Sequence, residues 1–355
     1  MMITISLDQL SRPQPGGIAT YVRGLVNALA SLDAGPLVGL VPSDSVDFGE
    51  LAITPHQVGV PLAALTRLWS RWPLGVPRES DVVHAASLAG PFGGGQAAAV
   101  HSVAVHDLLW RDEPDATTPR GRRFHEQRLA LLRRRPDVRV FTSSPGLDER
   151  LVADGFDRAR LHRIHLGVDD DVTPAPLDEV MRRLSLAGVS GPFTLYAGTR
   201  EPRKNIERLL AAHAQARIAA PELGPLVVVG PSGWGSMTLD GAVVLGRVSR
   251  ELLRGLYRDA AVVAYVPRNE GWGLPPVEAL AQGTRVVAST TTPSVLANPE
   301  VDLADPLDVD AIAEALGRSL ERANTEDARS ARRASVAALT WRQCALDHLA
   351  GWRCE

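Results

Sequence analysis

Two carboxylates, Glu270 and Glu278, stand eight residues apart in the stretch Glu270-Gly-Trp-Gly-Leu-Pro-Pro-Val-Glu278, which continues as Ala-Leu-Ala-Gln-Gly283. Between them lie a glycine-broken turn and a Pro-Pro pair, which suits the first turn of a helix because a missing N–H costs little there. The apolar run 260–266 reads as a buried strand, and Val277 to Ala281 as a helix start. Glu270 is then expected at the carboxyl end of a strand and Glu278 in the first turn of a helix. Open α/β sheets bind ligands at such strand ends, and helix N-termini attract phosphate. Carboxylates beside phosphate-attracting amides suit a ligand with a diphosphate and many hydroxyls, as in a nucleotide sugar. A first-turn Glu also complements the helix dipole, so Glu278 alone has an ordinary structural explanation. Glu270, in a loop before Gly-Trp-Gly, has no capping task.

The second constellation is cationic. Ala197-Gly-Thr199-Arg200-Glu-Pro-Arg203-Lys204-Asn205 follows an expected strand and enters the helix expected at 206–216. Strand, glycine turn, cation cluster and helix start form a phosphate-binding layout. Cations placed there would neutralise charge growing on a departing diphosphate. Of the 38 basic residues, 37 are Arg and the one lysine is Lys204. A compact ammonium differs from a planar guanidinium, so this position asks for something that Arg does not supply, unless the single lysine is chance.

Weaker signals surround these two. Pro15-Gly16-Gly17 lies between a strand and a helix, where paired glycines permit close approach of backbone to a ligand. Neither a G-x-G-x-x-G nor a G-x-x-x-x-G-K-[ST] motif is present. His106-Asp107 ends an apolar run and is placed to meet a sugar hydroxyl or an acceptor, and His84 is placed similarly. His101, His162 and His165 read as structural. Asp169-Asp-Asp171 imitates the D-x-D of metal-dependent sugar transfer but falls in a turn ahead of Pro174, so it reads as linker. No metal site is expected. The Arg-rich segment 120–135 offers weak peripheral contact with anionic lipid, against the commoner solvated basic face diluted by Glu126 and Asp137.

These residues require a scaffold of alternating strands and helices. At 355 residues two domains are expected, and 45% hydrophobic residues suffice for two cores. A net charge of −3 gives no general attraction to nucleic acid. With no leader or long apolar run legible, a cytoplasmic protein is expected, at most peripheral to the inner face of the membrane. Cys344 and Cys354 read as free thiols. Strands are expected at 3–7, 37–41, 81–84, 98–106 and 138–143, with a helix over 18–32. After a turn-rich linker at 165–176, strands follow at 193–198, 226–230, 242–245, 261–266 and 285–289. Thr340-Trp-Arg-Gln343 matches a capping box for a last helix. The expected fold is α/β: two doubly wound Rossmann-like domains, 1–170 and 171–340, facing across a cleft, with a terminal helix at 341–355.

With these residues assembled, the chain resembles the retaining glycosyltransferases of family 4, which have the GT-B fold. The resemblance runs nearly end to end. It is carried by Gly16-Gly17-Ile18, His106-Asp107, Gly167-Val-Asp169, Glu201-Pro-Arg-Lys-Asn205, Gly246-Arg-Val-Ser249 and the Glu270-to-Glu278 element. It implies that Arg203 and Lys204 grip the donor diphosphate, Glu270 the hydroxyls of the transferred sugar, and Glu278 the ribose. It further implies backbone contacts to phosphate and sugar from Gly17, Gly273 and Leu274, to the base from Val248, and a contact near the reaction centre from His106. The terminal segment from Trp341 would cross back onto the first domain. Relatives often carry Arg directly after the strand-ending glycine; here Thr199 intervenes and Arg200 follows. Trp272 replaces the usual Phe, Arg268-Asn269 stand where small or aromatic residues are common, and 290–301 is short and irregular.

The resemblance implies retention of anomeric configuration by front-face substitution, without a metal or cofactor, the donor being a nucleotide-diphosphate sugar with GDP-mannose leading. The acceptor is a carbohydrate, lipid-linked or small-molecule hydroxyl, selected by first-domain loops such as 90–96 and 112–122. The expected reading is a hexosyltransferase of polysaccharide biosynthesis. A GT-B-fold sugar-nucleotide epimerase and an inactive nucleotide-sugar-binding partner protein are the alternatives.

Overall fold

A computed structural model describes the chain except residues 13–15, 45–50, 95–99, 169–171, 234–238 and 354–355. Pro15, the Asp169–Asp171 run, part of the 90–96 loop and Cys354 therefore lie outside the described residues. The chain divides into two compact units: Met1–Gly167 with Leu339–Glu355, and Val168–Ala338.

Unit 1 is built on a parallel sheet of β1 (Ile3–Ser6), β2 (Leu37–Val41), β3 (Thr54–Gln57), β4 (Val82–Ala85), β5 (Val100–Val105), β6 (Arg139–Thr142) and β7 (Leu161–Arg163). Its strand order is β3-β2-β1-β4-β5-β6-β7. The inner strands are short, rich in β-branched residues and buried, as a sheet covered on both faces requires. The two edge strands were not legible in the sequence. β3 carries Pro55 and is wholly exposed, and β7 has three residues, so neither has an apolar run to announce it. The helices are α1 (Gly16–Ser31), α2 (Leu62–Leu68), α3 (Leu109–Asp112), α4 (Pro119–Arg133) and α5 (Pro145–Ala153).

Unit 2 opens with α6 (Leu177–Ser185) and carries β8 (Thr194–Ala197), β9 (Leu226–Val229), β10 (Ala242–Gly246), β11 (Val262–Tyr265), β12 (Val286–Ser289) and β13 (Val301–Ala304). The helices are α7 (Ile206–Ala219), α8 (Arg250–Asp259), α9 (Leu274–Ala281), α10 (Val309–Glu321) and α11 (Glu326–Ser335). All strand pairs are parallel, in the order β10-β9-β8-β11-β12-β13. Counted from the first strand, that is the 3-2-1-4-5-6 order of a dinucleotide-binding sheet. The segment 290–301, read as irregular, holds a 3-10 turn at Pro293–Val295 and leads into β13.

The last helix, α12 (Trp341–Arg353), belongs to unit 1 and packs on α1. Thr340 Oγ1 accepts from the Gln343 amide at 3.0 Å, while the Gln343 side chain turns to Asp347 at 2.8 Å. Only half of a capping box is formed. Beneath α12 runs a chain of buried polar contacts. His348 Nδ1 lies 2.7 Å from the Cys344 carbonyl, so that nitrogen carries the proton and Nε2 must accept from Tyr21 O–H at 2.8 Å. The Tyr21 oxygen then accepts from His84 Nε2–H at 2.7 Å, which leaves His84 Nδ1 to accept from Ser102 at 2.9 Å. Ser102 accepts in turn from Trp352 Nε1–H at 2.9 Å.

His84 is thus fully buried inside β4, not at a strand end facing ligand, because both ring nitrogens are committed to tying the helix to the sheet. Burial holds His84 well below the ordinary histidine range and His348 at about 4, so both are neutral links at pH 7. Gly24 on α1 lets α12 close: a Cβ there would sit 2.1 Å from Trp341 Cδ2. Gly24→Ala is expected to cost about 1–3 kcal/mol of stability through overpacking, read by urea unfolding. A variant as stable as the parent would show that the α1–α12 contact is loosely packed.

Candidate functional site

In unit 2 the strand order reverses between β8 and β11, which lie side by side with Val262 opposite Thr194 and Val263 opposite Leu195. The chain leaves their carboxyl ends in different directions, so the two following loops border a crevice. Those loops are 198–205 and 266–273, the two segments singled out by their chemistry.

After β8 the chain makes a 3-10 turn at Pro202–Lys204 and passes through Asn205 in the left-handed region, φ 61°, before α7. Asparagine tolerates that conformation better than most residues. Its side chain repays the local strain: Nδ2 donates to the Val266 carbonyl at 3.0 Å and to the Pro306 carbonyl at 2.7 Å, while Oδ1 accepts from Arg208 at 2.9 Å. The Arg268 amide donates to the Arg203 carbonyl at 2.9 Å. The loops after β8 and β11 are therefore fastened to each other through backbone groups, and the site inherits the rigidity of the sheet.

On this frame Arg203, Lys204 and Glu270 come together. Lys204 is 8% exposed, and its ammonium donates to Glu270 Oε2 and to the Tyr265 hydroxyl. Tyr265 donates to the same carboxylate oxygen. Arg203 Nη1 stands 3.5 Å from it, and Arg203 Nε donates to Glu201 at 3.0 Å. The other oxygen, Oε1, accepts from the Gly271 amide at 3.2 Å. Burial alone would push the Glu270 carboxyl up, but the Lys204 and Arg203 cations outweigh it and hold it at about 2. Burial also pulls Lys204 below the ordinary lysine range, with Glu270 opposing. At neutral pH the crevice thus holds an ammonium, a guanidinium and a carboxylate, in a setting that magnifies charge interactions.

Gly273 precedes α9 with φ 95°, and a Cβ there would stand 2.5 Å from Thr292 Cγ2 and 3.2 Å from Ser294 Oγ. The Pro293–Val295 turn packs against this loop: Ser294 donates from its amide to the Trp272 carbonyl and from its hydroxyl to the Gly273 carbonyl. Helix α9 begins at Leu274, so Pro275 and Pro276 occupy its first turn and Glu278 is its fifth residue. The expectation of a first-turn Glu278 is corrected, because the helix starts at Leu274, three residues before Val277. A dipole-capping explanation of Glu278 weakens accordingly. Its Oε2 accepts from the Tyr257 hydroxyl at 2.9 Å.

Of the other expected donor contacts in unit 2, Thr199 accepts through its carbonyl from Tyr196 O–H at 3.0 Å. Arg200 is half-buried and bridged to Ser232, with its Nε lacking a hydrogen-bond partner among the described residues. Val248 is half-buried in the turn between β10 and α8, also at a strand's carboxyl end. Gly17 and His106 belong to unit 1. Gly17 is the second residue of α1 and exposed. His106 follows β5, donates from Nε2 to the Ala86 carbonyl at 2.8 Å and meets the Tyr21 ring edge-on at 4.9 Å, so Nδ1 is its acceptor nitrogen. Burial lowers its pKa, keeping the ring neutral at pH 7.

The Arg-rich segment 120–135 is not one solvated face. Arg128 is buried, donating to the Leu88 and Gly90 carbonyls, and Arg135 donates to those of Phe92 and Gly94. Two of the arginines that suggested lipid contact thus hold the loop after β4. No helix among the described residues is long and apolar enough to cross a membrane.

Sequence reasoning missed the tyrosines. The chain has four, and the three in unit 2 all turn a hydroxyl toward an expected site residue: Tyr196 to Thr199, Tyr257 to Glu278, and Tyr265 to Lys204 and Glu270. A signal existed. Tyr196 and Tyr265 each fall at or next to the last position of a buried strand, so that the ring packs in the core and the hydroxyl emerges at the ligand-binding edge.

Residues 191–322 match the family described as glycosyl transferases group 1. O-antigen chain mannosyltransferase B of Escherichia coli is 34% identical over 185 residues, covering 48% of this chain and 48% of that protein. A D-inositol 3-phosphate glycosyltransferase of Xylanimonas cellulosilytica is 30% identical over 259 residues, covering 66% and 59%. The matched region spans about half the length of these curated relatives. Among solved structures, sucrose-phosphate synthase of Thermosynechococcus elongatus superposes with a TM-score of 0.76 at 24% identity, covering 99% of this chain and 98% of that one. HepE of Anabaena in complex with UDP-glucose gives 0.70 at 17%, covering 98% and 96%. The fold is that of the GT-B glycosyltransferases, and residues 191–322 are similar to the group 1 glycosyltransferases.

Proposed function

We propose that the protein transfers a hexose from a nucleotide-diphosphate sugar to an acceptor hydroxyl with retention of configuration. The observation that carries this reading is the meeting of Arg203, Lys204 and Glu270 at the switch point of the unit 2 sheet. Two cations at a helix entrance suit a diphosphate, and an ionised, fixed carboxylate suits sugar hydroxyls. Glu278, steadied by Tyr257, is assigned to the ribose, Val248 to the base, and Gly273 and Leu274 to phosphate and sugar through their amides. Thr199 and Arg200 complete the donor set on unit 2. Gly17 and His106 are assigned to diphosphate and sugar by resemblance, and acceptor choice is assigned to unit 1.

In this mechanism the bond from the anomeric carbon to the diphosphate oxygen breaks while Lys204 and Arg203 neutralise the departing charge. The acceptor hydroxyl attacks the same face and passes its proton to a phosphate oxygen of the leaving group. No metal is required, because the two side chains supply the positive charge. GDP-mannose is the leading donor, supported by the E. coli mannosyltransferase likeness; the HepE complex makes UDP-glucose the competitor to include.

Three outcomes test this. GDP-mannose, among a panel of nucleotide sugars, is expected to raise the melting temperature, since ligand at a hundred times its Kd stabilises by about 2.7 kcal/mol; no shift with any member of the panel would remove the donor assignment. With a turning-over acceptor, the product's anomeric proton coupling in NMR is expected to match the donor's, and an inverted product would contradict the front-face route.

Lys204→Met is expected to lower kcat/KM by about 10²–10³-fold and, because the lysine is buried on Glu270, to cost about 3 kcal/mol of stability at pH 7 as well. The sign of the pH dependence follows from Glu270. In the parent its depressed pKa stabilises the fold above the ordinary carboxylate range, and that contribution is lost as pH falls toward 2. In the variant the carboxyl has lost its nearest cation, so its pKa rises and falling pH relieves the fold. The stability gap between parent and variant should therefore narrow steadily below pH 7, and a gap independent of pH would place the cost elsewhere than in Glu270.

A further inference from the structure

We propose that Tyr265 is a positioning residue that keeps Glu270 fixed and charged while Lys204 turns from the carboxylate to the diphosphate of the donor. The inference rests on the donor reading above, since it supposes that one ammonium serves two anions. Lys204 Nζ is held between the Tyr265 hydroxyl and Glu270 Oε2, and lies 5.0 Å from the centre of the Tyr265 ring. A diphosphate competes for that same ammonium. When it wins, Oε2 loses its nearest cation and keeps the Tyr265 O–H and the Arg203 guanidinium, which stands 3.5 Å away and also serves Glu201.

The carboxylate side chain is only 12% exposed, so water is a poor substitute donor. The Tyr196 hydroxyl does not replace that of Tyr265: its ring stacks on Tyr265 at 6.2 Å, but its O–H is spent on the Thr199 carbonyl. The ionisable groups facing Glu270 are Lys204 and Arg203 from the loop after β8, Tyr196 from β8 and Tyr265 from β11, with Glu201 held on Arg203. Tyr265 itself is 1% exposed and ends its strand, so its hydroxyl has little freedom to follow the lysine. It therefore acts as the fixed donor of the pair while Lys204 acts as the movable one.

The test is a carbon-13 carboxyl NMR titration of Glu270, assigned with Glu270→Gln, in the parent, Tyr265→Phe, Lys204→Met and the double variant. Lys204→Met stands in for the withdrawn ammonium. Tyr265→Phe is expected to raise the Glu270 pKa by less than about half a unit with Lys204 present and by about one to two units in the Lys204→Met background. Equal shifts in both backgrounds, or none where the lysine is replaced, would overturn the proposal. Should the double variant not fold, Tyr265→Phe alone is titrated with and without saturating GDP or UDP. A rise of about one unit on nucleotide binding supports the role, and no rise overturns it. If calorimetry shows that the parent binds neither nucleotide, the donor reading fails, while the four-protein titration still reports on Tyr265.

Discussion

A buried ion pair, Lys204 with Glu270, is the interaction on which the unit 2 site depends. Its two partners come from loops more than sixty residues apart in sequence, and the contact exists only because β8 and β11 are neighbours in the sheet. Such a pair is a poor device for stability alone, because taking both charges out of water costs several kcal/mol per ion before attraction restores it. What it does provide is an ammonium and a fixed carboxylate poised together at one edge of a rigid sheet. Asn205, strained into the left-handed region and bonded to two carbonyls of other loops, shows how firmly the surrounding chain is held.

The chemistry and the scaffold are coupled through the tyrosines. Tyr196 and Tyr265 stack in the core formed by β8, β9, β11, α7 and α10, and their hydroxyls leave that core where the ligand is assigned. The same side chain thus contributes apolar area below and a hydrogen-bond donor above. Unit 1 uses the device differently: Tyr21 spends its hydroxyl on two neutral histidines and thereby fastens the last helix to the sheet. In one unit Tyr257 and Tyr265 steady charges, and in the other a tyrosine links groups kept neutral by burial.

The legible parts of the sequence were those where local pattern and long-range role coincide. β2 was readable to the residue because Leu37–Val41 is an apolar run interrupted only by Gly39 and bounded by turns, and the strands that lead to Lys204 and Glu270 were readable within one or two positions. β3 was not, since an exposed edge strand containing proline has no apolar periodicity, and α9 starts three residues before the expected Val277, with the Pro-Pro pair inside its first turn. His84 looked like a strand-end ligand contact, yet its environment is set by Tyr21, Ser102 and His348, which are distant in sequence. The roles of Asn205 and Tyr265 were hidden for the same reason: each depends on partners that only the sheet order brings near.

The central claim is that Lys204 and Arg203 hold a diphosphate while Glu270 holds the sugar attached to it. A crystal structure of the protein with an intact, non-transferable nucleotide-diphosphate sugar tests this most directly. The account predicts the Lys204 ammonium within hydrogen-bond distance of a diphosphate oxygen and the Glu270 carboxylate on sugar hydroxyls. A diphosphate bound elsewhere, with the Lys204–Glu270 pair undisturbed, would contradict it.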